Sequence, residues 1–428
     1  MLDIKLIREQ PQVIEADLKK RRQLNLIAEL YDLVKADKER RALIAKVDEL
    51  RAKRNTLTRE IAQLKKDGKP VAVKIKTMKK IPEEIEDIDA QLKGLDDKCR
   101  ALLLKLPNIL HESVPIGKSD EDNVEIRRWG KAPTFDFEPR GHEELALALD
   151  CLDIERAAKT AGARFYFLKN ELVVLNHAVL RFALDMLIKR GYSAVQPPYM
   201  MRRKPYEGVI DMADFENVMY KIENEDAYLI ATSEHPLIAM HMDETLDASE
   251  LPMRRVGISP CFRTEAGSHG KDTKGIFRVH QFDKVEQIIF CKPEQGWKLH
   301  EELIANTEDI FKALEIPYRV VNVCTGDIGM LAAKKYDLEA WLPVQQKFRE
   351  MGSCSNITDF QARRLGIRWR EGEGKAPAGF VHTLNNTGIA TPRALVAILE
   401  NFQQEDGSVR IPKVLWPYTG FKEIVRKQ

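Results

Sequence analysis

The chain has 428 residues, 44% hydrophobic and 31% charged, with a net charge of +2. That length supports two or three domains around at least one large core, and the composition excludes a disordered polyelectrolyte. No run of about 18 apolar residues occurs, which argues against a membrane span. The opening Met1-Leu2-Asp3-Ile4-Lys5-Leu6-Ile7-Arg8 lacks the apolar core of a secretory signal, so a cytoplasmic protein is expected.

Charge is unevenly placed. Residues 51–80 hold eleven Lys or Arg against two acids, Glu60 and Asp67, so the rest of the chain is mildly acidic. Leu43, Val47, Leu50, Leu57, Ile61 and Leu64 follow 4-3 spacing, with Arg54 in one apolar slot. After a break, Ile81, Ile85, Ile88, Leu92, Leu95, Cys99, Leu102 and Leu106 repeat it. Two heptad-patterned helices joined by a short polar connection predict an antiparallel coiled-coil arm. Asp67-Gly68-Lys69-Pro70 stops the first helix, expected over residues 27–66 and so roughly 60 Å long. Pro82 is expected at the start of the second, where its missing N–H costs little. One reading is a dimerisation or spacer coiled coil with solvated lysines. Concentration of charge at the tip favours instead a phosphate backbone bound through counterion release. Arg51, Arg54, Lys65, Lys66, Lys74 and Lys76 are the candidate contacts to that backbone.

Pro107 ends the second helix. Residues 111–135, rich in Pro, Gly, Ser and Asp, read as a linker between an N-terminal domain, 1–110, and a large domain, 136–428. From about residue 140 the pattern changes. Leu172, Leu175, Val179, Phe182 and Met186 mark one face of a helix that Gly191 ends, and a short strand at 193–196 stops at Pro197-Pro198. Runs dense in β-formers follow at 218–222, 227–231, 254–263, 276–290 and 318–324, with a helix at 297–314. Strands joined by loops, with helices grouped elsewhere, predict an α+β domain with a largely antiparallel sheet.

The six cysteines have no zinc-pair spacing, and His111, His142 and His300 precede Glu without the second His of an HExxH. No zinc is expected, and the thiols read as free and mostly buried.

Three stretches carry chemistry. Pro260–Lys271 (PCFRTEAGSHGK) and Arg278–Glu286 (RVHQFDKVE) read as strand, Gly-rich basic loop, strand. On a strand Arg263 and Glu265 share a face, and a guanidinium there can grip a carboxylate or phosphate. Lys271, Lys274 and the loop amides can meet a polyphosphate. Glu265 and Asp272 stand where a Walker A motif needs Gly and Ser or Thr. The second stretch, Thr387–Arg393 (TGIATPR), reads as a Gly-containing turn into an amphipathic helix, and an Arg fixed in its first turn can reach the γ-phosphate of a nucleotide. The third is Thr232-Ser233-Glu234 at the end of a predicted strand. Singly, each is weak: Arg-x-Glu on a strand is more often a surface ion pair, and a Pro-Arg helix start is usually only a cap.

Together, and in this order, these stretches resemble the class II aminoacyl-tRNA synthetases, specifically the seryl-tRNA synthetases. The resemblance spans essentially the whole chain, including the opening residues, the basic hairpin and Glu350–Asn356 (EMGSCSN). It implies a class II catalytic domain behind the arm, with ATP, L-serine and tRNA(Ser) as substrates, Mg²⁺ as cofactor, and tRNA(Sec) also charged where it exists. It implies a homodimer built on helix 170–191. It further implies that Arg263 binds the α-phosphate and the serine carboxylate, Glu265 the adenine amino group, and Arg393 the γ-phosphate. Phe282 would stack on adenine, beside the Val279 backbone. Thr264, Met351 and Gly352 would complete the ATP pocket. Glu350 and Ser353 would hold magnesium. Thr232 and Glu234, with Ser233 between them, would line the serine amino group, and Glu286 with Thr387 would read its hydroxyl. Other readings are a catalytically inactive RNA-binding relative, which the intact Arg263, Glu265, Glu286 and Arg393 disfavour, and a ligase loading a carrier protein, which would lack the arm. Glu286 could also be only the ion-pair partner of Lys284 on the same strand face.

Overall fold

The computed structural model describes residues 1–211, 218–265 and 274–426. They form two compact units that divide after Pro107. The loop glycines at 267 and 270 and Lys271 lie outside the described residues. Among the described residues no helix is long and apolar enough to cross a membrane.

In the first unit, helices α1 (Ile4–Glu9) and α2 (Pro11–Lys20) precede two long ones, α3 (Leu26–Lys66) and α4 (Ala72–Lys105). The heptad residues do what their spacing requires: Val47, Leu50, Ile81 and Ile88 are buried together, flanked by Leu43, Leu57, Ile85 and Leu92. Arg40 pairs with Asp96 and Lys74 with Glu60 across the hairpin, and Lys105 meets Glu29 at 3.0 Å. Nearer the chain start, Asp37 is buried between Arg8 and Arg41, at 2.9 and 3.0 Å. Pro82 lies inside α4, not at its start, because Asp67–Val71 alone reverses the chain, with Gly68 at φ +67°. Pro82 is exposed, so its ring faces solvent while Ile81 packs inward. Arg51, Arg54, Lys65, Lys66 and Lys76 are exposed.

The second unit is built on an eight-stranded sheet. Its strands are β1 (Val124–Trp129), β2 (Ser193–Val195), β3 (Met253–Phe262), β4 (Gln281–Cys291), β5 (Tyr318–Asn322), β6 (Lys334–Leu342), β7 (Lys347–Asn356) and β8 (His382–Ala390). Their order is β1-β5-β6-β7-β8-β4-β3-β2, antiparallel except for the parallel β2–β3 edge. The segment read as a linker contributes β1, paired to β5. Residues 218–222, expected as a strand, supply only a bridge from Lys221 to Tyr228.

Strand β4 lies between β8 and β3, and its residues 284–291 are all buried. Alternation sends Val285, Ile289 and Cys291 into one apolar cluster, with helices α5 (Asn170–Lys189), α6 (Gly296–Ala313) and α7 (Thr391–Asn401). Ile288 and Phe290 join a second cluster on the opposite face. Lys284 and Glu286 share that second face, so the strand that anchors the core also delivers two charges to one end of it.

Candidate active site

A cavity of about 570 Å³ opens on that face. Of the residues singled out in the sequence, it is lined by Thr232, Glu234, Arg263, Glu265, Val279, Phe282, Glu286, Glu350, Met351, Gly352, Ser353, Thr387 and Arg393. Ser233 and Thr264 are not in its wall. Ser233 is fully buried against Gly257, where an added Cβ would lie 2.7 Å from its hydroxyl. Thr264 uses its backbone N–H on Val218 O at 3.1 Å.

Two β-bulges shape the cavity floor. On β7 the register shifts at Met351, opposite Leu338 and Glu339. Residues three apart on a regular strand face opposite ways; the extra residue brings Glu350 and Ser353 together, with Ser353 Oγ 3.2 Å from Glu350 Oε1. On β8 the register shifts between Thr387 and Ile389, at Gly388. The stretch expected as a turn is thus strand through Ala390, and α7 begins at Thr391.

Thr387 pairs directly with Glu286 across the ladder, and its hydroxyl donates to Glu286 Oε2 at 3.2 Å. Lys284 Nζ reaches the same oxygen at 2.6 Å. Glu286 is thus the ion-pair partner of Lys284 and at the same time a carboxylate of the cavity wall. Gly352 leaves room for this arrangement, since an added Cβ would lie 2.6 Å from Thr387 Cβ.

Glu234 sits at the start of a short helix, Glu234–Ala239, with its N–H donating to Thr232 Oγ1 at 3.1 Å. Asn385 and Gln361 donate to its Oε1 at 3.2 and 3.4 Å. Burial, then the charge of Glu286, pushes its carboxyl up to about 7 against the pull of Lys284 and Arg263. Two acids and two cations thus meet in one recess, a set of charges matched to a small zwitterion.

Strand β3 ends at Phe262, so Arg263 and Glu265 do not share a cavity by strand alternation. Glu265 reaches it through a left-handed φ of +51°. Arg278 Nη1 pairs with Glu265 Oε2 at 2.7 Å. Arg263 donates from Nε to Ala231 O at 3.3 Å, and its guanidinium lies 5.3 Å from the Phe282 ring centre. Arg393, in the first turn of α7, donates to Glu350 O at 2.8 Å and lies 5.1 Å from the Phe277 ring centre. Desolvation alone would raise the Glu350 carboxyl; the charges of Arg393, Lys335 and Arg263 outweigh it and hold the carboxyl low.

Among the described residues no group of three His, Cys, Asp or Glu could hold a metal by itself. Glu350 and Ser353 supply two hard oxygens side by side. That set fits Mg²⁺, which keeps most of its coordination for phosphate oxygens and water.

Sequence reasoning missed His235, Arg278, Asn385 and Gln361. Arg278 lay within a quoted stretch, but its pairing with Glu265 is a tertiary fact. The others carry no local signature.

The architecture has close counterparts. Residues 1–110 match the seryl-tRNA synthetase N-terminal domain, and residues 218–402 match the tRNA synthetase class II core domain (G, H, P, S and T). The serine–tRNA ligase of Methanocella arvoryzae is 54% identical, with 98% of each chain covered. That of Thermococcus sibiricus is 53% identical over 99% of this chain and 98% of its own. The crystal structure of the Pyrococcus horikoshii seryl-tRNA synthetase complexed with ATP superposes with a TM-score of 0.96 at 51% identity, covering both chains completely. A Naegleria fowleri cytoplasmic serine–tRNA ligase in complex with AMP gives 0.90 at 34% identity over 100% of this chain and 99% of that one. Two domain families in their proper order, and relatives alike from end to end, make this chain a member of the seryl-tRNA synthetase family of class II aminoacyl-tRNA synthetases.

Proposed function

We propose that the chain activates L-serine with ATP and transfers the seryl group to tRNA(Ser), and to tRNA(Sec) where that RNA exists. The observation that carries this reading is the recess formed by Glu234, Glu286, Thr387 and Lys284, beside the cationic Arg263 and Arg393. A serine ammonium suits the Glu234 carboxylate and the Thr232 turn. The serine hydroxyl suits Glu286, which Thr387 already orients. The substrate carboxylate then points toward Arg263.

ATP is read along the other wall. Arg263 would meet the α-phosphate and Arg393 the γ-phosphate, with adenine between Phe282 and the Val279 backbone, its amino group on Glu265. Glu350 and Ser353 would hold Mg²⁺, which supplies charge neutralisation on the phosphates. Thr264, outside the wall, would act only through its backbone.

The serine carboxylate oxygen attacks the α-phosphorus in line and the bond to the β-phosphate oxygen breaks, giving seryl-adenylate and pyrophosphate. A terminal ribose hydroxyl of the tRNA then attacks the seryl carbonyl, and AMP leaves. Both steps need placement and charge compensation more than a protein base, which suits a site of arginines and carboxylates. The basic arm residues Arg51, Arg54, Lys65, Lys66, Lys74 and Lys76 would hold the RNA through its phosphates. A homodimer and a cytoplasmic setting belong to the same proposal; exposed Val173, Val174 and Ile188 on α5 support the former. The test is serine-dependent exchange of pyrophosphate into ATP, followed by charging of tRNA(Ser).

A further inference from the structure

Ala231 is held from both sides. Its N–H donates to the Tyr206 hydroxyl at 3.1 Å, and its carbonyl accepts from Arg263 Nε at 3.3 Å. Thr232, Ser233 and Glu234 follow, and then His235, whose Nδ1 lies 3.0 Å from the same Tyr206 hydroxyl. Tyr206 comes from the short helix Arg203–Val209 and is fully buried, outside the cavity wall. One hydroxyl therefore ties both ends of the 231–235 turn.

A backbone N–H only donates, so the Tyr206 oxygen accepts from Ala231. Its own proton goes to Leu229 O, 3.4 Å away, or to His235 Nδ1, 3.0 Å away, according to which ring nitrogen of His235 carries the hydrogen. An imidazole nitrogen accepts only when the ring is neutral. Burial, then Lys284 and Arg263, holds His235 down to about 3, so the ring is neutral at physiological pH.

We propose that Tyr206, hydrogen-bonded to His235, is a positioning residue for the amino-acid end of the cavity. It fixes the turn that carries Thr232 and Glu234 and, through the Ala231 carbonyl, the orientation of the Arg263 guanidinium. The inference rests on the serine-activating reading of the cavity. Tyr206 packs edge-on against Tyr228 and His235, with ring centres 6.3 and 5.0 Å away. Those contacts keep the ring seated when only the hydroxyl is removed, so Tyr206→Phe isolates the hydrogen bonds from the packing.

The experiment measures serine-dependent pyrophosphate exchange for the wild-type protein, Tyr206→Phe, His235→Asn and His235→Leu, with separate KM values for serine and ATP and a thermal unfolding curve. Tyr206→Phe is expected to raise the serine KM about tenfold and lower kcat severalfold, the effect of lost buried hydrogen bonds on a placed group. The ATP KM is expected to rise less than the serine KM, because Arg263 is shared by the two substrates while Phe282, Glu265 and Arg393 do not hang on Ala231. His235→Asn, whose amide can accept from or donate to the Tyr206 hydroxyl, should keep most activity, while His235→Leu should resemble Tyr206→Phe. An unchanged serine KM in Tyr206→Phe would overturn the proposal. So would a parallel rise in both KM values, which would mark general loosening of the fold. A wild-type protein without serine-dependent exchange would sink the functional reading, and this inference with it.

Discussion

Thr387 and Glu286 face each other across neighbouring strands, and the threonine hydroxyl donates to the glutamate at 3.2 Å. The glutamate also pairs with the Lys284 ammonium at 2.6 Å, so one buried carboxylate is held in orientation before any substrate arrives.

Serine differs from alanine by one hydroxyl, and shape alone rejects alanine weakly. A carboxylate placed for a hydroxyl donor is left short of a partner by alanine, a penalty that can reach roughly 10⁴-fold. Glu286→Gln keeps the size of the side chain and is expected to reduce serine activation by several orders of magnitude while ATP binding persists. Serine-over-alanine selectivity in pyrophosphate exchange should collapse with it. Glu286→Ala carries the same expectation, with a stability loss besides, since it strips the buried Lys284 of its partner. Near-normal selectivity in Glu286→Gln would move hydroxyl recognition elsewhere in the recess.

Glu234 gives the site a pH dependence. Its folded-state value, about 7, lies above the ordinary 4.5, so between the two the folded protein keeps a proton that the unfolded chain has released. This group therefore lowers stability as pH rises from 4.5 to about 7, while its ability to hold an ammonium grows. The expected profile of kcat/KM for serine climbs below pH 7 and levels above it, with no matching limb in the ATP KM. A flat serine profile through that window would contradict this account of the carboxylate.

The arm should serve only the second step. Reversing the charge of Lys65, Lys66, Lys74 and Lys76 is expected to weaken tRNA binding and flatten its salt dependence. Pyrophosphate exchange should stay within about twofold, since none of these residues lines the cavity. Lys74 also loses its pairing with Glu60, which adds repulsion between the helices. Equal losses in both half-reactions would show instead that the arm is needed for folding.

Helix α5 buries Leu172, Leu175, Val179 and Phe182 within its own unit and leaves Val173, Val174 and Ile188 exposed. A second copy of the chain is the expected cover. Light scattering should report a dimer at micromolar concentration, and a stable monomer there would remove the homodimer from the account.

Much of this was legible in the sequence. Heptads specify the arm because one apolar stripe has only one partner helix to meet, and 254–263 and 318–324 read as strands from their β-branched content. Strand β8 did not, because Asn385, Asn386 and Thr387 are buried polar residues satisfied by distant groups rather than by periodic apolar packing. Lys334–Leu342 alternates correctly, yet its Leu, Glu, Ala and Lys are helix formers by propensity. Many residues of the cavity wall were visible as motifs. What brings them together was not: the bulge at Met351 that turns Glu350 toward Ser353, the left-handed Glu265, and Gln361 and Tyr206 reaching the 231–235 turn from separate helices. Each of these is decided by tertiary contacts between segments far apart in the chain.

The central claim is that this cavity selects serine and passes it to an RNA. Pyrophosphate exchange into ATP with each of the standard amino acids in turn, followed by charging of tRNA(Ser), tests it directly. Serine alone should support exchange well above background, and the same preparation should form seryl-tRNA. Exchange driven by another amino acid, or the absence of exchange with serine, would contradict the account.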